Sequence, residues 1–148
     1  VLASHPATQV NAQNNDGETP LMLAAFYNYL DVAKVLIKRE ADVNREGWTP
    51  LHYAATRGHR EMMRLLLENE AYIDAEAPNG NTPLMMAARY ASPLAVKLLL
   101  EEGADPTLVN QANESALDIA LKTNNLQSAF YIRAFIESWF IQNPIKED

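Results

Sequence analysis

One short pattern recurs along the chain at an almost fixed interval. Residues 19 to 25 read TPLMLAA, 49 to 55 read TPLHYAA, 82 to 88 read TPLMMAA, and 115 to 121 read SALDIAL, a worn fourth copy. The intervals are 30, 33 and 33 residues. Sixteen residues after each Thr or Ser begins an apolar triplet or its remnant: Val35-Leu36-Ile37, Leu65-Leu66-Leu67, Leu98-Leu99-Leu100, and Tyr131-Ile132, where Arg133 ends the pattern. Two registered blocks repeating at about 33 residues mark a solenoid, in which each unit buries its apolar face against the next.

The unit can be derived from its residues. Thr19, Thr49, Thr82 and Ser115 are helix N-caps whose hydroxyls accept a free backbone N–H, and the proline that follows in three units suits the first helical turn. Leu21, Ala24 and Ala25 then form one apolar face, with paired alanines that let a neighbouring helix approach closely. Nine residues after the cap stand Asn28, Gly58, Ala91 and Asn124. Asn and Gly tolerate the left-handed conformation that ends a helix, and Ser92-Pro93 supplies a fresh cap after Ala91. A second helix carrying the triplet follows. Asn14-Asn15-Asp16-Gly17 and Pro78-Asn79-Gly80 read as hairpin-like loops between units.

Thr49 to Glu76, TPLHYAATRGHREMMRLLLENEAYIDAE, resembles an ankyrin repeat, and the likeness recurs from about Thr8 to Ile132. The resemblance implies an all-α solenoid of stacked antiparallel helix pairs, with hairpin-like loops projecting at right angles. The expected divisions are a remnant of a preceding repeat at 1–14, repeats at 15–44, 45–77 and 78–110, a capping repeat with an extended C-terminal helix at 111–142, and a tail at 143–148. Val1 and Leu2 read as the end of an upstream second helix.

Three departures stand out. Glycine usually precedes the Ala-Asp that closes a repeat, but Glu40 and Glu70 stand there in the first two units against Gly103 in the third, so two helix ends should be strained or differently terminated. The loop joining units one and two is three residues short, which predicts a notch beside Trp48. The last helix is overlong, with Tyr131, Phe135, Ile136, Trp139 and Phe140 at helical spacing. That stripe either folds over the open end of the stack or offers a dimer or partner surface.

Catalysis has no constellation here. The three histidines, His5, His52 and His59, form no ligand pair, there is no nucleophile elbow or phosphate-binding glycine loop, and cysteine is absent. Neither a metal nor a cofactor is expected. The resemblance gives His52 a structural hydrogen bond to the turn. Nineteen acidic residues against 12 basic ones argue against binding nucleic acid or an acidic membrane surface. Charge is uneven: Lys34 to Arg64 carries seven bases and four acids, whereas Leu65 to Asp118 carries two bases and nine acids. The opening Val1, without a basic-then-apolar leader, reads as a cropped or processed product. The compartment stays open between cytoplasm and export after removal of a signal.

What remains is a non-catalytic, monomeric protein-interaction module. In the resembled family, loop tips and the exposed side of each first helix carry contacts. Those places map to Asn15, Asp16, Glu18, Phe26 and Tyr27; to Arg45, Glu46, Trp48, Thr56 and Arg57; to Pro78, Asn79, Asn81, Arg89 and Tyr90; and to Gln111, Ala112, Glu114, Lys122 and Thr123. The candidate partner-binding residues among them are Asp16, Glu18, Phe26, Tyr27, Trp48, Arg57, Asn79, Arg89 and Tyr90. Trp48, Tyr90, Tyr27, Arg57 and Arg89 are expected to line up along the concave side. The alternative is an aromatic cage of Tyr27, Trp48 and Tyr90 for a small cationic group such as methylated lysine.

Overall fold

The computed structural model describes residues 7–146. The readings made for Val1, Leu2 and His5 fall outside them. Among the described residues nine helices follow in chain order: α1 (Ala7–Val10), α2 (Pro20–Tyr27), α3 (Leu30–Lys38), α4 (Pro50–Arg57), α5 (Arg60–Glu68), α6 (Pro83–Tyr90), α7 (Pro93–Glu101), α8 (Ala116–Lys122) and α9 (Leu126–Gln142). The first helices of the four pairs, α2, α4, α6 and α8, pack on one another in sequence, and each also packs on its own second helix.

Each first helix starts by the same device with different chemistry. The hydroxyl of Thr19, Thr49, Thr82 or Ser115 accepts the N–H three residues on, at 3.2 to 3.3 Å. The residue at that third position returns the bond to the cap N–H. Met22 and Met85 do so through Sδ at 3.5 Å, His52 through Nδ1 at 3.2 Å, and Asp118 through Oδ2 at 2.9 Å. Two otherwise orphaned donors are thereby satisfied at the start of each first helix.

Helix endings divide as the residues require. Asn28, Gly58 and Asn124 are left-handed, whereas Ala91 is extended at φ −107°. The chain restarts at Pro93 with Ser92 in the cap position, but the Ser92 side chain makes no capping hydrogen bond. Pro93, with no N–H to satisfy and φ preset for a helix, stands at the first helical position. At the second-helix ends, Glu40 (φ 66°), Glu70 (φ 68°) and Gly103 (φ 103°) are all left-handed. The next N–H reaches back five residues, from Ala41 to Leu36, Ala71 to Leu66 and Ala104 to Leu99, at 2.9 to 3.0 Å. Two glutamates therefore hold a conformation that suits glycine.

Alanines at 24, 54, 87 and 120 and at 25, 55 and 88 are buried between first helices. Leu121 takes the next place in that second column and is exposed. In the apolar triplets only the middle residue is fully buried throughout: Leu36, Leu66, Leu99 and Ile132. Helix α9 runs for 17 residues where α3, α5 and α7 run for 9. Ile132 seals the stack with Tyr131, Phe135 and Ile136 packed around it, while Trp139, Phe140 and Ile141 stay exposed. The stripe expected to act as one unit is split. No helix of the described residues is long and apolar enough to cross a membrane.

Candidate functional site

Counting from the cap residue, three columns of side chains run along the side between loops and first helices, open over the first units and closing inward at the buried Asn81 and Ile119. One residue before the cap stand Glu18, Trp48, Asn81 and Glu114; four after it stand Leu23, Tyr53, Met86 and Ile119; seven after it stand Phe26, Thr56, Arg89 and Lys122. A helix turns about 100° per residue, so positions four and seven share a face beside the cap. Over the first three units these columns enclose a groove of about 330 Å³ lined by Glu18, Leu23, Phe26, Tyr27, Trp48, Tyr53, Thr56 and Met86.

The groove is built before anything enters it. Phe26 meets Tyr27 and Tyr53 edge-on, with ring centroids 5.1 and 5.9 Å apart. The Arg57 guanidinium lies 4.6 Å over the Phe26 ring. Tyr53 donates its hydroxyl to Glu18 Oε2 at 2.9 Å, and Asn14 Nδ2 donates to Glu18 Oε1 at 3.0 Å. Burial, reinforced by that bond to an anion, pushes the Tyr53 phenol up to about 12. Trp48 rests edge-on against His52 at 5.3 Å. His52 accepts the Thr49 N–H at Nδ1, so Nε2 carries the proton and donates to the Asn81 carbonyl at 2.8 Å. Burial holds the His52 pKa below its ordinary value, against the opposing pull of hydrogen bonds to the backbone of Asn81 and Ala75.

The loops explain why the groove opens here. Loops one, three and four close as hairpins, from Asn14 N to Glu18 O, Ala77 N to Asn81 O and Asn110 N to Glu114 O, at 2.9 to 3.0 Å. The short second loop, residues 45–48, has no such closure; instead Arg45 reaches back and donates to the Gly17 carbonyl at 2.9 Å. At the other end of the columns a charged network replaces the aromatics. Lys122 Nζ lies 3.1 Å from Glu114 Oε2, and Arg89 lies 3.8 Å from Glu114 Oε1. Hydrogen bonds from Lys122 and then Asn110 hold the Glu114 carboxyl below its ordinary range.

The nine candidate residues therefore separate. Glu18, Phe26, Tyr27 and Trp48 line the groove. Arg57 joins them through the Phe26 ring. Asp16 is exposed on the first loop, its N–H bonded to Asn14 Oδ1. Asn79 is bound into the loops, accepting the Asn81 N–H at Oδ1 and the Gln111 N–H at its carbonyl. Arg89 belongs to the Glu114 network, and Tyr90 stands exposed outside the groove. The expected alignment of Trp48, Tyr27, Tyr90, Arg57 and Arg89 is thus divided, because two of these lie past the end of the groove.

Residues 2–77 match the family model described as "Ankyrin repeats (3 copies)", and residues 79–111 match "Ankyrin repeat". The chain belongs to the ankyrin-repeat family. Among its relatives, rat Ankyrin repeat and SAM domain-containing protein 6 is 38% identical over 124 residues, covering 84% of this chain and 11% of that protein. Zebrafish Neurogenic locus notch homolog protein 1 is 38% identical over 129 residues, covering 84% of this chain and 5% of its own length. Human NAD-capped RNA hydrolase NUDT12 is 39% identical over 75 residues, 47% of this chain and 16% of that protein. The chain thus spans a small fraction of each.

Leu23, Tyr53 and Met86 are the groove residues that the ankyrin pattern alone did not single out. Their column runs from Leu to Tyr to Met and ends at the fully buried Ile119, and a core column varies as much, with Ala33, Met63, Val96 and Ala129 in register, so residue variation alone carried no signal for the groove.

Proposed function

We propose that this ankyrin array binds a segment of a protein partner in the groove between its loops and first helices, with the loop tips as flanking contacts, and that it does so as a monomer. Ankyrin repeats are generally protein–protein interaction modules and generally non-catalytic. The observation that carries the reading is a groove of aromatic and apolar side chains, drawn from three units, that nothing in the described chain covers. Its rings are held by each other, by Arg57 and by Glu18, so little ordering remains to oppose binding. Trp and Tyr in such a setting are the residue types most often responsible for interface energy.

The test is affinity capture with the intact chain, compared with Trp48→Ala and Tyr53→Ala. Each variant should weaken a captured partner at least tenfold, about 1.4 kcal/mol, with the thermal midpoint little changed in Trp48→Ala, whereas Tyr53→Ala also gives up packing and its bond to Glu18 and is scored at a temperature where circular dichroism shows it folded. Retention of a partner by both variants would move the site elsewhere. The cationic-group reading is supported by Tyr27 and Trp48 lining one groove with Glu18, and it lacks Tyr90 there. Saturable binding of a trimethyl-lysine peptide, lost on Trp48→Ala, would favour it over the protein-segment reading.

A further inference from the structure

A second apolar concavity lies on a different part of the array. The overhang of α9 passes beside the turn that follows α7 and leaves a slot of about 570 Å³, floored by Leu100, Ala104, Pro106, Phe135 and Ile136. Trp139 and Phe140 form its outer wall, an edge-on pair 5.1 Å apart, and they remain 58% and 44% exposed. Ile132, with Phe135 and Ile136 at the base of the overhang, already seals the stack, so Trp139 and Phe140 are not needed for it. An eight-residue extension that keeps a Trp–Phe pair in solvent is costly unless something covers it.

Charge says what would cover it. Glu101 and Glu102, exposed at the end of α7, stand in sequence between the slot residues Leu100 and Gly103, and Asp105 lines the slot. Among the described residues no salt bridge engages any of the three. One Asp105 oxygen accepts the Thr107 N–H and hydroxyl at 2.9 and 2.6 Å, which fixes the carboxylate in place. The nearby base on α7, Lys97, is drawn over the Tyr131 ring at 5.7 Å, and neither Arg133 nor Lys146 lines the slot. A second copy of this chain, with net charge −7, would bring acid against acid, and an anionic lipid surface would be repelled likewise.

We infer that the slot between the α9 overhang and the α7 turn docks a basic amphipathic helix of a partner protein, apolar anchors against Trp139 and Phe140 and Lys or Arg against Glu101, Glu102 and Asp105. Anchors spaced three and four residues apart along one face of a helix would enter the slot while the rest of that helix lies along its rim. The probe is a labelled Leu/Lys peptide of about 14 residues, four turns, patterned with one apolar face. Its controls are a Leu/Glu peptide of the same pattern and a scrambled Leu/Lys peptide. Fluorescence anisotropy on the full chain should show saturable binding of the patterned Leu/Lys peptide, at least about tenfold tighter than either control. Trp139→Ala, and separately the combination Glu101→Gln, Glu102→Gln and Asp105→Asn, should each weaken it about fivefold or more, the combination also flattening the salt dependence. Tyr53→Ala, in the other groove, should leave it unchanged. Equal binding of the scrambled peptide, or loss on Tyr53→Ala, overturns the assignment. So does sedimentation showing a dimer that Trp139→Ala dissociates, which gives the slot to a second copy.

Discussion

Replacing Glu40 and Glu70 with glycine should stabilise the array. Both hold left-handed backbone, at φ 66° and 68°, at the end of a second helix. A residue with a Cβ costs about 1–2 kcal/mol there, and glycine returns about 0.5–1 kcal/mol of that through its greater freedom when unfolded. Each glutamate also puts negative charge at a helix C-terminus, worth about 0.3 kcal/mol against it at an exposed site. Neither side chain makes a hydrogen bond or salt bridge in the described structure, so nothing offsets its removal. The net gain is about 1 kcal/mol per site, and the sites share no partner, so the double variant should gain about 2 kcal/mol. With a urea dependence of about 2 kcal/mol per molar, the midpoint should rise by roughly 1 M. Gly103→Ala is the reverse control. No atom lies within 4 Å of where its Cβ would sit, so any loss reports backbone conformation at φ 103° alone. If the double variant does not raise the midpoint and Gly103→Ala does not lower it, left-handed strain is not what these positions carry.

Leu66→Ala and Leu99→Ala each remove a fully buried side chain from an interior unit and should cost about 2–5 kcal/mol by denaturant titration. His52 is held neutral by burial, so the stability it confers is present above its unfolded pKa of about 6.5 and is lost as pH falls below that value. His52→Met, which installs the residue found at the same position in units one and three, should flatten the decline in urea midpoint between about pH 6.5 and 5, although it gives up the bond to the Asn81 carbonyl. Spectrophotometric titration should find one tyrosine ionising near 12, and Glu18→Gln should bring it down. Because that folded pKa is raised, the associated stability is present below the unfolded value of about 10 and is lost as pH rises through 12.

The framework was legible because its signals are local. A hydroxyl followed by proline fixes where α2, α4 and α6 begin, and the short loop before Trp48 can be counted from residue numbers. Glu40 and Glu70 announced their strained turns by standing where glycine is expected. The groove was only half legible. Phe26, Tyr27 and Trp48 look exposed in register, but Tyr53 looks like core until the stacking of α4 on α2 sets its ring beside Phe26 and its hydroxyl on Glu18. Arg89 was misleading for a related reason: its partner Glu114 lies 25 residues away, at a distance only the stacked array defines. The division of the α9 stripe was also hidden, since helical spacing reports which residues share a face and not how far the neighbouring helix extends along it.

The uneven row of loop tips makes the array mechanically asymmetric. Tips three and four are zipped together, with Gln111 donating from its backbone to Asn79 and from its side chain to the Pro78 carbonyl. Gly80 permits that contact, because a Cβ there would come within 2.9 Å of the Gln111 nitrogen. No backbone bond ties residues 45–48 to the tip on either side, and the guanidinium of Arg45 is the strap across that gap. Under a bending load residues 78–114 behave as one stiff beam, and the compliance of the row is concentrated at its second tip, beside Trp48.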